Sequence, residues 1–265
     1  MSKLYSPAKT IFKIPIGVGD KTIPIQIAAP DIKAENLPLS TWTASVVLAG
    51  QIHKFDFSLP RSASLNTEEE PIPVLELGAG TGLVGLSAAC LWHTAAVLTD
   101  LAPIVPGLDE NIALNRSVID DAGGVVESAT LDWSRPGSLI LANTADVDAE
   151  HTIPLAFVPS SRKARVILAA DTIYDPEHPG LLAGAILEWL ERGADARVCI
   201  CYPLRVAYLD QIRELWGRLE RGGLVCISEG REVFGGESPN GDDEMLCEWC
   251  VWRWGADIES ENTTA

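Results

Sequence analysis

The chain has 265 residues with 47% hydrophobic content, which is enough for one large α/β domain with a sizeable core. Its formal net charge of −17 disfavours a nucleic-acid substrate, because nucleic-acid binders usually present a basic face. The charge would suit a basic protein partner, but solvated acidic loops that serve solubility are the favoured interpretation. No run of about 18 apolar residues predicts a membrane span, and residues 1–9 lack the apolar stretch of a signal peptide.

Six cysteines occur in apolar stretches rather than in a loop-rich disulfide framework. We interpret them as reduced, buried thiols, which predicts a cytoplasmic protein, with a nuclear location equally compatible. Cys247 and Cys250 form a CxxC pair, but no second pair or histidine pair completes a zinc site, so no metal is predicted. The four histidines are scattered, and His178 is interpreted as a residue at the rim of a site.

The first predicted element is a β-hairpin. Apolar residues alternate with others in Ile11–Ile16 and Thr22–Ile27, on either side of a turn at Gly17–Asp20, and the prolines favour an edge position. Thr43–Phe55 carries apolar residues at helical spacing and predicts a helix. We therefore expect an N-terminal extension over residues 1–40 and a main domain over residues 41–265, within one globular unit.

Strands and helices then alternate along the chain. The pattern predicts helices over residues 83–91, 104–114, 181–191 and 206–219, and strands over residues 74–77, 95–99, 125–131, 166–170, 198–202, 224–227 and 249–254. Such alternation predicts a doubly wound, mostly parallel seven-stranded α/β sheet. Residues 136–163 predict an irregular insertion and residues 232–244 an acidic loop, and both would border the site.

The sharpest motif is a glycine loop that leaves a buried strand and opens a helix, Glu76-Leu77-Gly78-Ala79-Gly80-Thr81-Gly82. Glycines let the backbone turn tightly and approach a ligand without a clash at Cβ. Gly80–Gly85 matches the dinucleotide pattern GxGxxG, but the Glu76 carboxylate would repel a pyrophosphate. The same carboxylate would attract the sulfonium and ammonium groups of S-adenosylmethionine. A tight turn without a ligand is the remaining alternative.

A second acidic signal is Asp100, at the end of the next predicted strand, about 20 residues past the glycines. A carboxylate in that place can bind ribose hydroxyls, whether in NAD or in S-adenosylmethionine. The alternative is a charge near the N-terminus of the following helix. With the glycine loop, the ribose interpretation is favoured.

The motifs of the chain resemble those of the seven-strand methyltransferases, and more narrowly of methyltransferase family 16 in its fungal elongation-factor type. The resemblance covers about residues 37–255 and is specific because five motifs occur in the same order. They are Trp42 on the pre-loop helix, the loop Glu76–Gly82, Asp100, the pair Asp132-Trp133 after the third strand, and Ala170 followed by Asp171-Thr172-Ile173-Tyr174 after the fourth.

The resemblance implies a Rossmann-like class I methyltransferase fold and S-adenosylmethionine as the cofactor. It implies a basic protein substrate, such as a translation elongation factor, that is methylated on a lysine side chain. Asp171 and Tyr174 would then face the substrate amine as catalytic residues. The implied cofactor-binding residues are Trp42, Glu76, Gly78, Ala79, Gly80, Gly82, Asp100, Asp132, Trp133 and Ala170.

The chemistry supports roles for the residues that follow the fourth strand. Methyl transfer from a sulfonium is a displacement, so the enzyme mainly aligns the amine with the methyl carbon. Asp171 could bind and orient the lysine ammonium or pass its proton to water, and Tyr174 could contact the alkyl stem or the cation. Asp171 could instead be a turn or capping residue, and the tryptophans could be core residues.

Other function classes stay open on the sequence alone. A small-molecule N- or O-methyltransferase could use the same fold, because fold does not fix function. A cofactor-binding scaffold without turnover and an NAD-dependent dehydrogenase are the further alternatives. The Asp171–Tyr174 segment argues against the scaffold, and Glu76 argues against the dehydrogenase.

Overall fold

A nine-stranded sheet organises the chain in the computed structural model, which describes residues 9–29, 33–34, 37–38, 40–61, 65, 70–142, 156–235 and 245–255. Five strands are parallel to their neighbours: β5 (Ile72–Leu77), β6 (Ala95–Asp100), β7 (Val125–Thr130), β10 (Ala164–Ala170) and β11 (Arg197–Pro203). Antiparallel strands β12 (Leu224–Val233) and β13 (Leu246–Trp254) complete one side, and β8 (Leu139–Leu141) and β9 (Ala156–Phe157) the other.

The strand order is β12-β13-β11-β10-β5-β6-β7-β8-β9. The chain starts the sheet in the centre with β5, moves outward through β6 and β7, and then returns to the other side of β5 with β10. The reversal between β5 and β10 is a topological switch point, where the loops at the carboxyl ends of the strands leave a crevice. The doubly wound, mostly parallel sheet is thus confirmed, and its seven predicted strands form one contiguous block.

Helices cover both faces of the sheet. One face packs against α1 (Thr43–Gln51), α2 (Leu83–Trp92) and α3 (Val105–Leu114), with the short α4 (Arg116–Asp121) beside them, and the other packs against α5 (His178–Trp189) and α6 (Leu209–Arg221). Successive residues of β5 serve opposite cores, since Val74 lies in the first and Leu75 in the second. Burial on both faces explains why the central strands read as continuous apolar runs.

Two predictions about the loops need correction. The insertion over 136–163 was expected to be irregular, but β8 and β9 lie at its two ends and extend the sheet. Strands of two or three residues carry too little pattern to be recognised, and they form here because β7 offers them a paired edge. Residues 143–155 and 236–244 lie outside the described part. The predicted acidic loop begins later than expected, because β12 continues to Val233.

The N-terminal hairpin, β1 (Lys9–Pro15) and β2 (Thr22–Ala28), packs on the main sheet's helices, and Ile14, Ile25 and Ile27 belong to the same core as α2. A further two-residue pair, β3 (Lys33–Ala34) and β4 (Leu37–Pro38), follows it. No helix in the described ranges combines the length and the apolarity that a membrane crossing requires.

Asn111 of α3 and Asn115, which directly follows that helix, hold the hairpin in place. Asn115 accepts from the Gln26 amide at 2.8 Å and donates to its carbonyl at 2.7 Å. Asn111 makes the same pair of bonds with Ala28, at 2.8 and 3.0 Å. The two side-chain amides thus take the place of a neighbouring strand along β2. Asn111 also donates to the carbonyl of Thr81 at 3.0 Å, which links the hairpin to the glycine loop.

Candidate active site

A cavity opens at the carboxyl ends of β5, β6, β7 and β10, at the switch point of the sheet. Ten of the twelve site residues predicted from the sequence line it: Trp42, Gly78, Ala79, Gly80, Asp100, Asp132, Trp133, Ala170, Asp171 and Tyr174. Segments from distant parts of the chain therefore meet around one space. The other two predicted residues, Glu76 and Gly82, are not among the residues that line the cavity.

The glycine loop follows β5 in a conformation that only glycine adopts without strain. Gly78, Gly80 and Gly82 have φ angles of +64°, +54° and +82°. A Cβ atom on Gly78 would lie 3.0 Å from the Trp133 ring, which shows how closely that ring covers the loop. Gly82 is the N-cap residue of α2 and lies behind the cavity. A Cβ atom built on it would point at Leu98. Gly82 therefore shapes the turn rather than the cavity surface.

Asp100 joins the second strand to the glycine loop. Its Oδ2 atom accepts a hydrogen bond of 2.8 Å from the Gly80 amide, and its Oδ1 atom accepts one of 2.7 Å from the Leu101 amide. The Gly80 amide is thus bonded to a carboxylate of the protein, not presented to the cavity for a phosphate. Asp100 also lines the cavity, so it is placed both to hold the loop and to meet a ligand.

Glu76 lies in the helix–sheet interface behind the glycine loop rather than on the surface of the cavity. The side chain is 2% exposed, and its Oε2 atom accepts a hydrogen bond of 2.9 Å from the Gly85 amide of α2. Burial raises the pKa of this carboxyl to about 8, so it is mainly protonated at neutral pH. The argument that a Glu76 carboxylate attracts a sulfonium is therefore wrong, because the group is neutral and turned into the helix–sheet interface.

Two tryptophans border the cavity. Trp42 immediately precedes α1, and next to it the Thr41 and Thr81 hydroxyl groups lie 2.8 Å apart, which ties this segment to the glycine loop. Trp133 follows β7 and meets the His178 ring edge-on, with 6.0 Å between the ring centroids. Both indoles face the same cavity that the glycine loop lines.

Asp132 accepts hydrogen bonds from the Ser134 amide and hydroxyl group, at 2.8 and 2.7 Å. These bonds lower the pKa of its carboxyl. Asp132 is therefore a charged residue that shapes the turn carrying Trp133.

The Asp171–Tyr174 segment follows β10 in an unusual backbone conformation. Asp171 has a φ angle of +56°, which is uncommon for a residue with a side chain, and its amide donates to the Cys201 carbonyl at 2.9 Å. Its carboxylate is 3% exposed and forms a two-point ion pair with Arg205, at 3.1 Å (Nη1–Oδ1) and 3.3 Å (Nη2–Oδ2). A buried, paired carboxylate held in a left-handed conformation is typical of a functional site.

Two residues of the site were missed or undervalued by sequence reasoning. Arg205 lies 34 residues from Asp171, after β11, and no local pattern marks it. His178 begins α5, is 6% exposed, lines the cavity, and packs edge-on against Tyr174 with 4.3 Å between the ring centroids. Its nearness to Tyr174 in the sequence was the available signal. It is an aromatic wall residue rather than a rim residue.

The cavity fits a cofactor that carries positive charge and no phosphate. Within the described part of the chain, three aspartates line it and no lysine or arginine does. Asp171 is paired with Arg205, but the Asp100 and Asp132 carboxylates would repel a pyrophosphate and attract sulfonium and ammonium groups. The indoles of Trp42 and Trp133 offer apolar surface for an adenine ring. The residues present therefore fit S-adenosylmethionine, on grounds that do not involve Glu76.

A sequence model described as lysine methyltransferase matches residues 25–148. This span contains the glycine loop, Asp100 and the Asp132-Trp133 pair. Residues 25–148 of the chain therefore match the lysine methyltransferase family. This match agrees with the S-adenosylmethionine cofactor that the cavity fits.

Individual relatives carry the same description. The protein-lysine N-methyltransferase EFM2 of Saccharomyces cerevisiae is 30% identical over 217 residues, which are 77% of this chain and 46% of that protein. The protein-lysine N-methyltransferase rrg1 of Schizosaccharomyces pombe is 28% identical over 235 residues, 88% of this chain and 67% of that protein. The chain therefore spans about half the length of EFM2 and about two thirds of rrg1.

Proposed function

We propose that this chain is an S-adenosylmethionine-dependent protein N-methyltransferase that modifies a lysine side chain of a cytosolic protein. The observation that carries the proposal is that Asp171 and Tyr174 line the same cavity as Asp100 and the glycine loop. A donor held by the loop and an amine held by the Asp171–Tyr174 segment would therefore meet in one space. A translation elongation factor is the specific substrate that the family resemblance suggests.

The bound cofactor would supply an electrophilic methyl group. Trp42, Trp133 and the glycine loop would hold it, with Asp100 beside its ribose. The residues of the chain then have to bring an unprotonated amine into line with that methyl group, since a displacement depends on alignment. Tyr174 offers the face of an aromatic ring to the lysine stem or its cation. Asp171 would orient the nitrogen.

A second opening beside the cavity supports a protein substrate. It is lined by Tyr174, Asp175, Pro176, Glu177, His178, Leu181 and Tyr208, three of which also line the cavity. Asp175 and Glu177 place two carboxylates there, which favours a basic segment. Together with the net charge of −17, this opening suits a lysine-containing surface of a basic partner. All six cysteines are unbridged, which suits the reducing cytosol.

The first test is calorimetric titration with S-adenosylhomocysteine, with NADH in parallel. We expect micromolar binding of the former and none of the latter. Ala170→Leu, which puts a larger side chain into the cavity from the end of β10, should abolish binding, whereas Gly184→Ala on α5, where a Cβ meets open space, should not alter it. Preference for NADH would overturn the assignment of the cofactor.

The second test is labelling of a cell lysate with methyl-tritiated cofactor. Wild-type protein should label one protein band, and mass spectrometry should place the added methyl group on a lysine. Asp171→Ala should abolish labelling while it retains S-adenosylhomocysteine binding. A labelled product below the protein mass range would instead indicate a small-molecule methyltransferase, and cofactor binding without any labelled product would indicate a scaffold.

A further inference from the structure

Arg205 joins the two halves of the site. It follows β11 and forms the ion pair with Asp171, and its side chain is 14% exposed. Its guanidinium carbon lies 5.9 Å from the centroid of the Trp42 ring and 5.9 Å from that of the Tyr208 ring. Trp42 lines the cofactor cavity, and Tyr208 lines the second opening. The Arg205 guanidinium thus lies beside Trp42 of the cofactor cavity, pairs with the Asp171 carboxylate, and lies beside Tyr208 of the second opening.

The ion pair changes what Asp171 can do. Both of its oxygens accept from Arg205, so the carboxylate is electrically compensated before any substrate arrives. An uncompensated buried carboxylate would hold a lysine as its ammonium ion, which has no lone pair for attack on a methyl group. A compensated one can accept a hydrogen bond from the amine without stabilising the charged form to the same degree.

We propose that Arg205 is a positioning residue that holds the Asp171 carboxylate in its left-handed backbone setting and keeps the acceptor lysine in its neutral, nucleophilic form. This inference rests on the proposed lysine methylation. In the reaction the amine nitrogen forms a bond to the methyl carbon, the carbon–sulfur bond breaks towards sulfur, and the amine's proton is released to water. Arg205 makes the proton's loss easier and takes no part in the bonds that change.

Other titratable groups face the same pair. Tyr174 and His178 come from the segment after β10 and from α5, Tyr208 comes from the turn before α6, and the Cys201 thiol lies on β11. Asp100 and Asp132 line the same cavity as Asp171. A pH profile between about 7 and 10 covers the range over which a lysine amine begins to lose its proton.

The experiment compares wild type, Arg205→Gln, Arg205→Lys and the double variant Asp171→Asn/Arg205→Gln. Initial rates of methyl transfer to the band that wild-type protein labels are measured across this pH window. Arg213→Gln is the matched control, since Arg213 pairs with Asp210 on the exposed surface of α6. S-adenosylhomocysteine binding by calorimetry checks that each variant is folded.

Arg205→Gln should lower the rate at pH 7.5 by about 10-fold or more, with recovery as the pH rises, because the uncompensated Asp171 raises the pKa of the bound amine by about one unit or more. Arg205→Lys keeps the positive charge and should retain the pH dependence of wild type. The double variant should stay slow but lose the recovery at higher pH, because Asp171→Asn removes the charge that would raise the pKa of the amine. Arg213→Gln should match wild type throughout. A loss in Arg205→Gln that is the same at every pH, with cofactor binding retained, would overturn the inference alone. Absence of any labelling by wild type would overturn the proposed function together with it.

Discussion

The Oδ2 atom of Asp100 accepts a hydrogen bond of 2.8 Å from the backbone amide of Gly80, twenty residues earlier in the chain. The carboxylate that ends β6 therefore fixes the loop that ends β5. The neighbouring strands bring these two residues together, since β5 and β6 run parallel and their carboxyl ends meet at one edge. The shape of the loop and the position of the carboxylate are thus a single feature of the site.

This arrangement predicts that Asp100→Asn weakens cofactor binding. An asparagine has one acceptor oxygen, so either the Gly80 or the Leu101 amide would lose its partner, and the negative charge beside the ligand would be lost. We expect S-adenosylhomocysteine to bind at least about 10-fold more weakly, which corresponds to roughly 1.4 kcal/mol. Calorimetry measures the affinity for S-adenosylhomocysteine, and Asp195→Asn, at an exposed position, is the control. Unchanged affinity in Asp100→Asn would contradict the assigned role.

Glu76 predicts a specific dependence of stability on pH. Its carboxyl would ionise near 4.5 in the unfolded chain but retains its proton to about pH 8 in the folded one. Between these values the folded state binds more protons, so the free energy of unfolding should fall as the pH rises through this window and level off above it. Glu76→Gln removes this contribution, because its amide stays neutral and can still accept from Gly85.

The measurement for Glu76 is urea unfolding of both proteins at pH 5 and pH 8. Relative to wild type, Glu76→Gln should be more stable at pH 8 than at pH 5, by an amount on the order of a few kcal/mol at most. Parallel pH profiles for the two proteins would show that the carboxyl of wild type is ionised in the folded state.

Replacement of Gly82 should lower the stability of the fold rather than remove a contact with a ligand. Its φ angle is +82°, and a Cβ atom there would lie 2.8 Å from the Leu98 Cδ2 atom. Gly82→Ala should lower the free energy of unfolding by about 1–2 kcal/mol from backbone strain, with more from the contact. Gly217→Ala on α6, where a Cβ meets open space, should raise it slightly. Urea midpoints compare the two, and equal midpoints would be inconsistent with the strain.

Asn111 predicts that the hairpin contributes to the stability of the domain. Its side chain is fully buried and bonds to both backbone groups of Ala28 and to the Thr81 carbonyl. Asn111→Leu would leave these three groups without their partner, so the free energy of unfolding should fall by about 2–4 kcal/mol. Glu110→Gln, on the exposed side of the same helix, is the control. Thermal unfolding that is unaffected by Asn111→Leu would mean that the hairpin is not part of the cooperative unit.

Regular elements of the chain were predictable where local pattern is strong. The central strands are buried, mostly apolar segments of six or seven residues, and both β5 and β10 were placed within two residues of their ends. The short β8, β9 and α4 were not predicted, because they depend on neighbours that supply pairing or packing. The hairpin's docking through Asn111 and Asn115 had no local signal. The boundary at residues 40 and 41 stays a prediction.

The sequence by itself determined the strand–helix alternation, the glycine loop and the order of motifs that meet at the switch point, because each depends on residue types at short spacing. Only the tertiary structure decided the state of each carboxylate. Asp100 binds the loop, Asp171 is compensated by Arg205, and Glu76 is buried and neutral at pH 7. Charge and pKa depend on the surrounding solvent and on partners that are distant along the chain, and those distances exist only in the folded protein.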